Sequence, residues 1–292
     1  MASIINRLRI FVIFVATLLL GSSVLAVQYQ FTENTTPYTV DSVFFSANSL
    51  ASDGFTVASG ATVTWGVNDS RTAITGPITV EGTLVIGNSS GIGLINDSTI
   101  TVNGGTLTIS NSGSCGLYNR GTINVTSGAL FASNTSVGSI GLFNDGGVVN
   151  VSAALTISNS SGTGLYNNNQ ININWAGGLF INNTGGIGLH NRGVVTNNYD
   201  LYINSSGSYG LYNAGGNVNC NGLSLTRIAN NFGYGLLNSG GVVTVADDRW
   251  EFTIANTGGT GFVNKNSGLL YASTGKVTIT GTGSMDGEIT AP

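Results

Sequence analysis

The sequence predicts an all-β chain folded as a single right-handed parallel β-helix, or β-solenoid, with three short strands in each coil of ~24 residues. Three observations predict this fold class. A tetrapeptide recurs in phase, two further segments with strand-like alternation follow each copy, and turns rich in glycine, asparagine and serine separate them.

The tetrapeptide Gly-(Leu/Phe)-x-Asn is the strongest of these signals. Its eight copies begin at Gly93, Gly116, Gly141, Gly164, Gly188, Gly210, Gly235 and Gly261. Each copy ends in asparagine: Asn96, Asn119, Asn144, Asn167, Asn191, Asn213, Asn238 and Asn264. A stacked side-chain amide donates to one neighbour and accepts from the other. We therefore predict an asparagine ladder along the solenoid.

The second and third segments of each period alternate apolar and polar residues. Residues 122–125 (Thr-Ile-Asn-Val) and 154–157 (Ala-Leu-Thr-Ile) are examples. Alternation sends Leu, Ile and Val to one face of a strand, so three such faces close around a shared core. One period cannot bury its own apolar face, whereas coils stacked ~4.8 Å apart form a continuous core.

A second asparagine column lies five residues before the glycine in six of the repeats. It comprises Asn88, Asn111, Asn159, Asn183, Asn230 and Asn256. Asparagine tolerates the left-handed backbone conformation better than most residues. We expect that conformation at these positions, where the chain turns a corner of the coil.

The N-terminus has the features of a secretory signal peptide. Arg7 and Arg9 precede the apolar residues 10–20, and small residues lead to Ala26. The apolar stretch is shorter than the ~20 residues that a spanning helix needs. We therefore predict a signal peptide over residues 1–26, cleavage after Ala26, no membrane span after cleavage, and a secreted protein at the cell surface.

The rest of the chain divides into two parts. Residues 27–62 lack the tetrapeptide and are rich in aromatic residues, which predicts an N-terminal cap over the first open coil. Residues 63–292 are predicted to form the parallel β-helix, with about nine to ten coils.

Charge is sparse and acidic. Removing residues 1–26 leaves seven of the nine basic residues and all thirteen acidic ones, a net charge of −6. Nucleic-acid binding requires clustered Lys and Arg, so we expect no nucleic-acid partner. We also expect no cofactor and no metal.

The repeat resembles that of a known class of surface proteins. Residues 116–125 (Gly-Leu-Tyr-Asn-Arg-Gly-Thr-Ile-Asn-Val) show its extended form, and the likeness covers roughly residues 80–280. It is similar to the repeats of right-handed parallel β-helix surface proteins, such as autotransporter-type adhesin passengers and polymorphic outer-membrane proteins. Sheath-like envelope proteins with solenoid cores are comparable. The resemblance implies a non-enzymatic structural or adhesive role outside the cell.

The variable position of the tetrapeptide supplies the candidate binding residues. If the leucine points inward, this position points outward, and five consecutive coils then align Tyr118, Phe143, Tyr166, His190 and Tyr212. The aligned rings predict a surface that binds another copy, giving a homo-oligomer or filament, or a cell-surface or matrix glycan. Alternatively, the rings only stabilise the strands. A second outward row contains Phe131, Phe180 and Tyr202.

We expect no catalytic residues, and two alternative functions stay open. The first is a carbohydrate-active β-helix enzyme, a polysaccharide lyase or hydrolase, which would use Asp247 and Asp248 near Arg249, Glu251 and Lys276. The second, minor alternative is ice binding through outward threonines on the second strands. Threonine does not persist there from coil to coil, which disfavours a regular array.

Two further groups of residues are predicted to have structural roles. Cys115 and Cys220 lie in columns that are apolar in other coils, so we predict two unpaired core cysteines about four coils, ~19 Å, apart. Asp97, Arg120 and Asp145 follow successive ladder asparagines and are expected to form exposed ion pairs.

Overall fold

The structure, a computed structural model, describes most of the chain. The described residues are 28–32, 38–40, 50–67, 73–88, 90–111, 113–159, 161–183, 185–205, 207–221, 225–230, 232–246, 251–256, 258–272, 276–281, 285–286 and 289–290. The predicted signal peptide lies outside them. The described part contains no helix long and apolar enough to cross a membrane.

The described chain is a parallel β-solenoid, which confirms the all-β class and the three strands per coil. The first strands of successive coils form one ten-stranded parallel sheet, and the eight inner strands of this sheet carry the tetrapeptide. They are Ala73–Ile74, Ile92–Asn96, Cys115–Asn119, Ser139–Asn144, Gly162–Asn167, Ile187–Asn191, Tyr209–Ala214, Tyr234–Ser239, Phe262–Lys265 and Met285–Asp286. The right-handed winding stays a prediction.

The second and third strands together form a 21-stranded sheet, because Thr99–Asn111 and Thr122–Asn134 each run through both positions without a break. The other second strands are Tyr29–Phe31, Phe55–Val57, Ile78–Val80, Val148–Val151, Gln170–Ile173, Val194–Asn197, Asn217–Cys220, Val242–Val245, Leu269–Ala272 and Ile289–Thr290. The other third strands are Tyr38–Val40, Thr62–Val67, Thr83–Asn88, Ala154–Asn159, Gly178–Asn183, Asp200–Ser205, Leu225–Asn230, Glu251–Asn256 and Lys276–Gly281.

The N-terminal segment predicted as a cap contributes strands to the solenoid. Tyr29–Phe31 pairs in parallel with Phe55–Val57, and Tyr38–Val40 pairs with Thr62–Val67. The described helix Leu50–Asp53 lies between these strands in sequence. Phe31 is buried, and its ring makes edge contacts with the rings of Tyr29, Tyr38 and Phe55. Aromatic side chains therefore fill the core at this end.

The glycine of the tetrapeptide has a packing role that explains its recurrence. A Cβ added at Gly164 would lie 2.7 Å from the Gly188 carbonyl oxygen and 2.7 Å from Cγ2 of Ile181. Such distances are far inside van der Waals contact, so the next coil and the third strand leave room for a hydrogen atom alone. The adjacent leucine, Leu165 in this coil, is fully buried.

The predicted asparagine ladder is confirmed. Along the first strands, each Nδ2 donates to Oδ1 of the next asparagine, over distances of 2.7–2.9 Å from Asn96 through to Asn264. Members also donate to main-chain carbonyls, as Asn144 does to Gln170 at 3.2 Å. The ladder therefore satisfies amides that have no access to water.

The second asparagine column works differently from our expectation. Asn159 donates to the carbonyl oxygens of Ser139 at 2.9 Å and Thr163 at 2.8 Å, and Asn183 makes the equivalent pair of bonds. These asparagines cap carbonyls at a corner. The expected left-handed conformation is wrong: among the described residues, the non-glycine positive φ angles belong to Ala176, Asn266 and Ser267.

Both cysteines are buried and unpaired, as predicted. Cys115 lies between Ile92 and Ile140 in register, and burial raises the pKa of its thiol to about 12. The column of Cys220 is not wholly apolar, because Asn197 is the register neighbour of Cys220. This corrects the sequence interpretation.

A small polar cluster surrounds Cys220 inside the apolar core. Asn197 donates to Oγ1 of Thr226 at 2.8 Å, and Sγ of Cys220 lies 3.3 Å from the same hydroxyl oxygen. All three side chains are buried. Burial also raises the pKa of the Cys220 thiol to about 11. Within this cluster the polar side chains hydrogen-bond with one another, at positions where neighbouring coils carry aliphatic side chains.

Candidate functional site

The five predicted binding residues lie side by side on the outer face of the first-strand sheet. Strand register pairs Tyr118 with Phe143, Phe143 with Tyr166, Tyr166 with His190, and His190 with Tyr212. Their strands place them there because the neighbouring leucine of each tetrapeptide is turned into the core. We call these five residues the aromatic row.

Every neighbouring pair of rings in the aromatic row is in contact. Tyr118–Phe143 and Phe143–Tyr166 are edge-to-face pairs, each with centroids 5.0 Å apart. Tyr166–His190 is tilted at 4.3 Å, and His190–Tyr212 is stacked at 4.7 Å. All five side chains are half-buried. The row is thus continuous, and each ring is positioned by its neighbours.

Two tyrosines that the sequence interpretation missed extend this surface. The ring of Tyr209 contacts the rings of Tyr212 and Tyr234, both at 5.4 Å. Both tyrosines stand before the glycine of the tetrapeptide, where simple alternation would point a side chain inward. Glycine and leucine are both buried in these strands, so alternation breaks at the glycine. The inward packing of the glycine was the signal that sequence reasoning lacked.

His190 is the titratable member of the aromatic row. Its pKa is lowered to about 4, first by burial and then by the positive charge of Arg192. Its Nε2 is buried and has no hydrogen-bond partner among the described residues. The imidazole is therefore neutral near pH 7 and behaves as one more ring in the stack.

Charged residues border the row at the Tyr118 end. Arg120 forms a bidentate pair with Asp97, with both N–O distances 2.6 Å, and its guanidinium lies 5.6 Å from the Tyr118 ring centroid. Asp145 instead accepts hydrogen bonds from the Tyr118 hydroxyl and from Nδ2 of Asn168. The Tyr118 bond, the larger cause, lowers the pKa of Asp145. The predicted ion pairing therefore holds for Arg120 and Asp97, whereas Asp145 pairs with neutral groups.

The second predicted row is interrupted. Thr156 lies between Phe131 and Phe180 in register, so Phe131 stands apart and is 40% exposed. Phe180 and Tyr202 are stacked, with centroids 5.4 Å apart and planes inclined by 7°. These two rings line a groove on the outer face of the third strands.

The residues of the two alternative functions are placed only in part. Asp247, Asp248 and Arg249 lie outside the described residues, while Glu251 pairs with Lys276 by strand register. Within the described ranges, no three His, Cys, Asp or Glu side chains are grouped to hold a metal ion.

The outward face of the second strands carries a further ladder of asparagine side chains, separate from both columns described above. Nδ2 of Asn150 donates to Asn124 at 2.9 Å, and Nδ2 of Asn172 donates to Asn150 at 2.8 Å. These side chains interrupt the threonines of the face that ice binding would use. We call Asn124, Asn150 and Asn172 the outer ladder.

Comparison with known proteins gives no relative. No protein-family model, curated protein or solved structure matches this chain. Its repeat and the geometry of its surfaces are therefore the basis for a functional proposal.

Proposed function

We propose that this protein is a non-enzymatic extracellular structural or adhesive surface protein whose solenoids associate through the aromatic row. The observation that carries the proposal is the continuous row of contacting, half-buried rings from Tyr118 to Tyr212. A contiguous ring surface on a soluble protein is typical of an interaction site.

A second copy of the chain is the partner that fits this surface best. The first-strand sheet repeats every ~4.8 Å along the solenoid, and another solenoid carries ridges with the same spacing. Its ten strands span a face of roughly 700 Å². Specific interfaces bury about 800 Å² per partner, so this face, with some of its rim, is sufficient.

The orientation of the rings favours a protein partner over a glycan at this face. Sugar rings stack on aromatic faces, whereas in each of the pairs Tyr118–Phe143 and Phe143–Tyr166 the edge of one ring lies against the face of the other. The outer surface of the row is a mixture of ring edges and faces. Such a surface interdigitates with side chains of a facing sheet.

The resemblance to β-helix adhesins and sheath-like envelope proteins supports the same role. In that setting, a signal peptide at residues 1–26 would export the chain, and lateral association would build a layer or fibre. The low charge of the chain, 8% of its residues, limits electrostatic repulsion between copies. The proposal assigns no reaction and no cofactor.

The test compares assembly of the wild-type protein with that of Tyr118→Ser/Tyr166→Ser/Tyr212→Ser. Analytical ultracentrifugation and negative-stain imaging report the assembly, and circular dichroism reports the fold. The matched control is Phe131→Ser/Tyr271→Ser, which removes two exposed rings from other faces. We expect ordered filaments or sheets from the wild type and the control, and folded monomers from the triple variant.

Two outcomes would contradict the proposal. One is a monomeric wild type under all conditions. The other is equal loss of assembly in the control, which would make the effect one of general surface hydrophobicity. A monomeric wild type that binds a glycan, with binding lost in the triple variant, would assign the row to glycan recognition instead.

A further inference from the structure

A groove on the outer face of the third strands has the composition of a binding site. Its volume is about 370 Å³, within the range of small-ligand sites. Strand alternation sends Phe180, Asn182, Tyr202, Asn204 and Arg227 outward from three successive coils, and these side chains line it. It lies on a different sheet from the aromatic row.

The two rings of the groove are positioned by the backbone beneath them. A Cβ at Gly178 would lie 2.5 Å from Cε2 of Phe180, so the Phe180 ring occupies the space that a side chain at residue 178 would take. Tyr202 then stacks on Phe180 with nearly parallel planes. In contrast with the edge-to-face pairs of the aromatic row, parallel rings leave outer faces that a flat ligand covers.

The polar side chains of the groove are unpaired. Asn182 and Asn204 are adjacent in register, yet they form no ladder, unlike Asn124 and Asn150 at similar spacing. Asn182, Asn204 and Arg227 are exposed, and within the described ranges their side chains make no hydrogen bond or ion pair. Each therefore has donors, and the two amides also have acceptors, available to a ligand.

A second depression of about 250 Å³ adjoins the groove on the other side of Phe180. Its floor is formed by small residues, including Ala154 and Gly178, and Asp200 stands at its edge. Burial raises the pKa of the Asp200 carboxyl group. Asp200 lies two residues before Tyr202 on the same strand, and Arg227 is the register neighbour of Tyr202 on the next coil, so opposite charges leave the site with little net charge.

We propose that this groove binds a neutral oligosaccharide. The C–H faces of sugar rings pack on Phe180 and Tyr202, while ring hydroxyls bond with Asn182, Asn204 and Arg227. A polyanionic chain is disfavoured, because the protein has a net charge of −4 and the groove offers a single cation. Binding here leaves the aromatic row free, so a solenoid binds the saccharide and another copy at once.

The test is calorimetric titration of the full chain with cellohexaose, xylohexaose, mannohexaose and hexagalacturonate as probes. We expect at least one neutral probe to bind. Phe180→Ala/Tyr202→Ala should weaken it by about tenfold or more, and Asn182→Ala/Asn204→Ala by about fivefold. The control Phe131→Ala removes an exposed ring from the same column, outside the groove, and should change affinity by less than about twofold.

We call Phe180→Ala/Tyr202→Ala the ring-pair variant. Three results would overturn the proposal: no binding of any neutral probe, binding of hexagalacturonate alone, or an equal loss of affinity in Phe131→Ala and in the ring-pair variant. Assembly, measured for the wild type and for the ring-pair variant, separates this proposal from the proposed function. If wild-type solenoids fail to associate while the saccharide still binds to them, only the assembly proposal fails. If wild-type solenoids associate and bind no saccharide, only the groove proposal fails.

Discussion

Two asparagine ladders run along this solenoid with similar hydrogen bonds and different surroundings. The ladder from Asn96 to Asn264, which we call the inner ladder, lies inside the coil. Its amide–amide distances are 2.7–2.9 Å, and its members from Asn96 to Asn238 are fully buried. The outer ladder has distances of 2.8–2.9 Å on a water-facing surface, where its side chains are half-buried. Geometry alone does not tell them apart.

Burial therefore decides how much free energy an amide ladder contributes to stability. A hydrogen bond exchanged for one with water contributes little net free energy, whereas a buried amide that loses its partner keeps the whole cost of desolvation. The inner ladder therefore specifies the stacking register of coils, because a slipped coil would leave amides unpaired. The outer ladder specifies this register much less strongly, because water can replace its hydrogen bonds.

The largest effect is expected from breaking the inner ladder at its centre. Asn144→Ala removes the ladder acceptor of the Asn119 amide, which keeps its bond to the Gly121 carbonyl, and the ladder donor of Asn167 Oδ1, which keeps only the Asn169 N–H. One buried N–H of Asn119 is then left without a close partner, the bond from Asn144 to the Gln170 carbonyl is lost, and a cavity opens. We expect a loss of about 3–5 kcal/mol in the free energy of unfolding, measured by chemical denaturation. A loss below about 1 kcal/mol would show that water enters the ladder and that burial is not the deciding factor.

A second buried polar contact tests whether this rule extends beyond the ladder. Thr226→Val removes the acceptor of Asn197 in the core and should cost about 2 kcal/mol. The double variant Asn197→Val/Thr226→Val should recover most of the loss, because both partners become apolar. A double-mutant cycle of denaturation midpoints measures the coupling. Additive losses in the cycle would contradict a paired, satisfied cluster.

A half-buried group should show an intermediate effect that depends on pH. The pKa of His190 is about 4 in the folded protein, below its ordinary value, so the unfolded chain binds the proton more readily. Stability should be constant above pH ~6.5 and should fall by about 1 kcal/mol as the pH drops from ~6.5 to ~4, a value discounted for partial exposure.

The matched variant for this pH dependence is His190→Tyr, which keeps a ring in the aromatic row and removes the titrating group. Thermal unfolding of both proteins between pH 4 and pH 7 compares them. The His190-dependent fall in stability should be missing from the variant. Identical pH profiles for the two proteins would show that the fall arises from other groups.

The smallest effect is expected from the outer ladder. Asn150→Ala removes both amide–amide bonds of this ladder, yet Asn124 and Asn172 remain accessible to water. We expect a change of less than about 0.5 kcal/mol in the free energy of unfolding. A loss as large as that of Asn144→Ala would remove the distinction between the two ladders.

The repeat pattern in the sequence is sufficient to predict the solenoid, its three strands per coil, the inner ladder and the alignment of the aromatic row. In a parallel stack, residues one period apart become neighbours, so eight in-phase copies of a tetrapeptide place their asparagines in one column. The same logic aligned Tyr118 with Phe143 and Tyr166. Periodicity determines register, and register determines which side chains are adjacent.

The interactions that adjacent side chains make could be read only from the folded chain. Asn182 and Asn204 are neighbours without a bond, whereas Asn124 and Asn150 are bonded, and the sequence does not distinguish these pairs. Asn197 and Thr226 replaced apolar residues without any break in the repeat, and Phe180 acquired its position from Gly178. Rotamers, close approaches between coils and access to water depend on three-dimensional packing. A sequence pattern with a period of ~24 residues does not encode them.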